Sequence, residues 1–270
     1  MVYITKDDWI RVEDSFIGKN NFVKMKVDSY KRIRMFNAFY SILKFINAKI
    51  KYSNQVVLST AMIYFHKFFL SSEYLFKDLT KEDKLLLCAS LIFLSCKATN
   101  RLISLNTILT IVKEIFTKKN FSPFDINDIK EKICSFEQDI LISLDFDLNV
   151  DLPYKFLKQI KNFFEEENIQ LNTKKLIELC CYYINDSFTL PLSLFYYPDA
   201  IAISCASLLS HKFKFALNID RLLERSSSPV RKEEIDHIEH LLVKIYEKEG
   251  EAKDDNSIST KEGLSAKASL

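Results

Sequence analysis

ASLIFLSCK, residues 89–97, and SCASLLSHK, residues 204–212, decide how this chain folds. Both are apolar runs broken by small residues, and both close on Ser-x-Lys. Small residues let neighbouring helices approach closely, so each stretch reads as the central helix of a bundle and the pair as an internal repeat. Glycine usage points the same way. The 270 residues hold three glycines, Gly18, Gly250 and Gly263, with none from 19 to 249. Phosphate loops, dinucleotide fingerprints and nucleophile elbows all need glycine for tight turns or close backbone approach. Repeated β-hairpins through an all-β fold are hard to make without it. The fold class is all-α.

On either side of these two stretches, caps and apolar period place five helices in each half of the chain. Asp28 to Ala48 carries Ile33, Phe36, Tyr40, Leu43 and Phe45 near helical spacing. Ser53 can cap a second helix through about Ser71, and Thr80 with Asp83 makes a capping-box start for a third reaching Lys97. Leu105 to Phe116 and Asp128 to Phe146 complete the first set, with Pro123 in the loop between them. Pro153 suits the first turn of a helix to Phe164; Lys174 to Phe188 comes next and stops before Pro191. Pro198 opens the apolar DAIAISCASLLSHKF, then come a short segment from Asp220 to Arg225 and a last helix from Val230 to Glu247. The polar end of the chain, 248–270, reads as a disordered tail.

Bulk composition narrows the function classes. Hydrophobic residues make up 48%, enough for a sizeable core, and 38 basic residues against 36 acidic ones leave no excess for general nucleic-acid binding. The start MVYITKDDWI has no secretory pattern, and the longest apolar run, Leu85 to Cys96, is too short for a bilayer. The six cysteines show no CxxC pair and lie in apolar helical patterns, as buried free thiols would. His237 and His240 share a helix face beside Asp236 and Glu239, although surface histidines on a charged helix are the commoner case, and no metal is expected. SSSPVRK (226–232) offers a Ser-Pro step in a loop. No Ser/Cys–His constellation stands out, so no catalytic residue is assigned and no cofactor is expected.

Longer stretches carry a family likeness. AMIYFHKFFLSS (61–72) with LIFLSCK (91–97), and SFEQDILISLDFDLNVDLPYKFL (135–157), resemble the cyclin box. YYINDSFTLPLSLFYYPDAIAISCASLLSHKF (182–213) is similar to the second box of the transcriptional K, T and L types, Asn185, Asp186 and Ser187 included. The resemblance implies two tandem five-helix boxes, 28–148 and 149–247, with a flanking N-terminal helix in segment 1–27. It implies a non-catalytic regulatory subunit that binds a cyclin-dependent kinase beside its αC helix and holds it in the active orientation. The implied partner is that kinase in a heterodimer, with room for a third assembly subunit and no direct contact with nucleic acid or membrane. The implied setting is RNA polymerase II transcription or RNA processing, hence the nucleus, with the cytoplasm not excluded. The H type is the nearest alternative within the family.

By that resemblance Lys97 and Glu137 meet the kinase, and Leu94 and Ile133 are expected to add apolar contact nearby. A lysine at a helix C-terminus also complements the helix dipole with no partner at all. Most cyclins follow this lysine with acidic residues, whereas here Ala98, Thr99 and Asn100 stand after it, and the choice of kinase depends on that rim. The rival readings are a scaffold that binds without activating, and a transcription factor of the TFIIB type. The latter carries a zinc ribbon and a strongly basic surface, features absent from this sequence.

Overall fold

A helix whose every face is apolar must be surrounded, and α3 (Lys81–Ala98) is: every residue from Leu85 to Cys96 is buried. The computed structural model describes residues 29–51, 54–71, 79–121, 125–167 and 169–244. The expectations for the segment 1–27 and its helix, Ser53, Pro123 and the tail lie outside them. Among the described residues every regular element is helical, five in each half. The first five are α1 (Ser29–Lys49), α2 (Gln55–Ser71), α3, α4 (Leu105–Lys119) and α5 (Ile126–Ser143). A 3₁₀ turn, Pro153–Phe156, leads into α6 (Leu157–Glu166); after it come α7 (Thr173–Ser187), α8 (Pro198–Phe213), α9 (Ile219–Leu223) and α10 (residues 232–244). The all-α fold of two five-helix repeats stands.

The described residues gather into two compact units. Phe36–Lys158 with Ser187–Pro198 form one; Gln159–Asp186, Asp199 onward and the start of α1 form the other. In the first, α3 packs most extensively on α5, then on α2 and α4. The Thr80–Asp83 capping box forms as the sequence predicts, each residue's side chain accepting from the other's backbone N–H. The start of α5 is earlier than expected, because Asp125 rather than Asp128 accepts from Asn127 N at 2.9 Å. For α2, Asn54 Oδ1 accepts from Val57 N at 3.1 Å. Behind α2 sits an aromatic cluster, with Phe39 stacked on Phe65 at 4.4 Å and Phe36 edge-on to Phe65 and Phe69.

The second unit repeats the plan around α8, buried from Asp199 to Ser207. A serine near the middle of each central helix fixes the register of the repeat. Ser90 Oγ donates toward Leu86 O and Ile133 O of α5, both at 2.9 Å; Ser204 Oγ does so toward Ala200 O at 2.8 Å and Ile235 O of α10 at 3.4 Å. Ser90 therefore corresponds to Ser204, one position off the match suggested by Ser-x-Lys. In this register the counterpart of Lys97 is His211, and that of Glu137 is Glu239. Those two are paired as well, His211 Nδ1 lying 3.2 Å from Glu239 Oε2.

With glycine absent from the helical region, other residues take the left-handed positions that end helices: Asn100, Asn120, Asp145, Phe146 and Lys214. Cys88, Cys96, Cys180 and Cys205 are buried free thiols, burial pushing Cys96 up to about 11; Cys134 and Cys181 are only partly buried, a departure from the expectation for all six.

Candidate docking site where the end of α3 meets α5

Lys97 occupies the last turn of α3, where the buried run gives way to solvent. Its amino group is held from two sides. Glu137 of α5 accepts from Nζ at 2.5 Å, and the Phe93 ring, one helical turn back, lies 4.0 Å below it. The charge at the exit of an apolar helix thus has an acidic neighbour, supplied from forty residues along the chain. Glu137 is nearly covered, its side chain 13% exposed against 47% for Lys97. An ammonium has three donors and Glu137 occupies one, so the pair presents an oriented cation with donors to spare.

A second ion pair ties the first turn of α3 to the middle of α5, Lys132 Nζ lying 3.0 Å from Asp83 Oδ1. Asp83 is held below the usual carboxylate range by bonds from Thr80 and Lys132, against the opposing effect of desolvation. Together with the Ser90 bridge these contacts fix α3 against α5, and hence Lys97 against Glu137.

Leu94 and Ile133 do not stand at this surface. They are 2% and 0% exposed, so in this chain by itself neither presents an apolar surface beside the pair. Phe93 was missed from the sequence, although its spacing of four from Lys97 on a helix was the available signal. Leu102, 95% exposed in the loop after α3, was missed because nothing in sequence separates it from buried leucines.

Ala98, Thr99 and Asn100, where the sequence resemblance leads one to expect acids, close the helix. Asn100 is left-handed, Asn100 N donates to Lys97 O at 3.2 Å, Arg101 N to Cys96 O at 2.8 Å, and Thr99 Oγ1 to Ser95 O at 2.7 Å. Ala98 and Thr99 also border an open cavity of about 330 Å³ with Thr60, Tyr64, Leu148 and Tyr154. Elsewhere, no group of three or more potential ligands that could hold a metal ion occurs among the described residues, His237 and His240 included.

Comparisons with known proteins agree with this architecture. Cyclin-K of Homo sapiens is 29% identical over 164 residues, 59% of this chain and 26% of its own length. Cyclin-T1-3 of Oryza sativa subsp. japonica is 24% identical over 264 residues, 94% of this chain and 51% of its own. The chain spans about half or less of the length of these relatives. Among solved structures, a chain of the yeast RNA Pol II CTD kinase CTDK-1 complex superposes with a TM-score of 0.64 at 17% identity, over 91% of this chain and 73% of that one. No family model matches. The chain has the cyclin fold. Its sequence relatives are cyclins of the transcriptional type.

Proposed function

We propose that this chain is the regulatory subunit of a cyclin-dependent kinase acting in RNA polymerase II transcription or RNA processing, in the nucleus, and that it has no catalytic activity of its own. The observation that carries the reading is the Lys97–Glu137 pair, seated on Phe93 and presented where the end of α3 meets α5. The names of its sequence relatives support it.

Kinase activity requires the ion pair between the β3 lysine and the αC glutamate, which forms only when αC is turned inward. A surface that bonds αC in that orientation alone shifts the population by its differential binding energy. Lys97 suits the task, because it is half-exposed, Glu137 occupies one of its three donors and holds the side chain in place, and the others remain for partner carbonyls. Each hydrogen bond involving a charge is worth about 1.5–3 kcal/mol, so losing one weakens binding by about ten- to hundredfold.

The test is recovery of bound kinase from native extract by tagged wild type and Glu137→Lys, with kinase activity assayed on each. One kinase held by wild type, active, and lost with the folded variant is the expected result. Equal recovery by both forms refutes the assigned contact. A kinase bound but inactive moves the scaffold reading ahead, and the absence of acids after Lys97 is the feature that favours it.

A further inference from the structure

The loop between α9 and α10 holds three consecutive serines ahead of a proline, and the structure treats them differently. Asp199, 8% exposed in the first turn of α8, accepts three hydrogen bonds on one oxygen. Ser226 Oγ, Ser227 N and Ser227 Oγ each donate to Oδ2 at 2.9 Å. Ser226 Oγ also accepts from Ser228 N at 3.2 Å. Two of the three hydroxyls are therefore committed to anchoring the loop on a buried carboxylate. Ser228 Oγ makes no hydrogen bond among the described residues.

The residues after Ser228 are equally specific. Pro229 is exposed, and Val230 N donates across it to Ser228 O at 2.8 Å, closing a tight turn over the proline. Arg231, three residues beyond the serine, is exposed and its guanidinium pairs only with Glu234, in the first turn of α10. Lys232 is exposed as well. Residues 226–231 lie outside any helix, the backbone state a kinase cleft can accept.

We propose that Ser228 is a phosphorylation site for a proline-directed serine/threonine kinase, with Pro229 and Arg231 as its recognition elements. Proline has no N–H, so an apolar subsite that receives it leaves no donor unpaired. Arg231 offers a planar guanidinium to an anionic subsite three residues on. In the transfer, Ser228 Oγ bonds to the γ-phosphorus of ATP, the bond from that phosphorus to the β–γ bridging oxygen breaks, and ADP leaves. The hydroxyl proton passes to the aspartate of the kinase's catalytic loop. The proposal does not rest on the docking of a kinase at Lys97.

The experiment treats the full chain with ATP and an already active proline-directed kinase from an unrelated complex, and maps the phosphate by mass spectrometry. A free peptide of residues 222–236 runs alongside. One phosphate on Ser228 is expected, absent in Ser228→Ala and retained in Ser227→Ala. In Pro229→Ala it should fall by about tenfold, as expected for an unpaired backbone donor in the subsite. Phosphate on Ser226 or Ser227 instead, or undiminished labelling of Pro229→Ala, overturns the proposal. So does an unlabelled protein, whether the peptide is labelled, which makes the folded loop the obstacle, or not, which makes the motif a non-substrate.

Discussion

His66 gives the sharpest physical prediction. It lies in α2, fully buried, edge-on to Phe36 at 5.0 Å, with neither ring nitrogen hydrogen-bonded. Burial alone lowers its pKa from 6.5 to about 3, so the imidazole is neutral in the fold and must be stripped of its proton to enter. Linkage sets the sign. Below 6.5 the unfolded chain takes up a proton that the fold refuses, so stability is full above that pH and drains away as pH falls toward about 3. Between pH 7 and pH 5 the loss from this one group is about 2 kcal/mol. His66→Leu keeps roughly the same volume and removes both unpaired nitrogens. It should be as stable as wild type at pH 7 or more so, by about 1 kcal/mol. Urea unfolding of both proteins at pH 7 and pH 5 reads the difference, to which the other three histidines contribute equally in each. If wild type and variant lose the same stability on acidification, His66 is not buried neutral and the reasoning fails.

Lys97→Ala should weaken kinase binding about tenfold or more while its unfolding midpoint stays close to wild type, because the lost pair is exposed on one side; unchanged affinity in a titration contradicts the docking assignment. Ser90→Ala should cost about 1 kcal/mol in urea unfolding and Ser204→Ala less, since the Ser204 reach to α10 is the longer one. A reversed order would contradict the register drawn from these serines. Phe146 is 69% exposed at φ 58°, a conformation costing a non-glycine residue about 1–2 kcal/mol. Phe146→Gly should therefore raise stability by about 0.5–1 kcal/mol despite the extra freedom of the unfolded chain, and a clear loss would show that the exposed ring supports the fold.

The all-α class, the five-plus-five helices and the Thr80–Asp83 cap were legible in the sequence because their signals are local. A long glycine-free stretch disfavours repeated hairpins wherever it folds, and a capping box joins residues three apart. The resemblance likewise pointed to Lys97 and Glu137, but not to what each does for the other. That took the approach of α5 to α3, a contact between residues forty apart which no period or cap encodes. Packing also put Leu94 and Ile133 beneath the surface, since an apolar residue at a helix end looks the same in sequence whether it faces the bundle or a partner. The repeat shows the division most plainly. Matching Ser-x-Lys endings set Lys97 against Lys212, whereas the hydrogen bonds of Ser90 and Ser204 set it against His211. A helix advances about 100° per residue, so one step of register changes which side chain meets the neighbouring helix, and only the packed structure fixes that step.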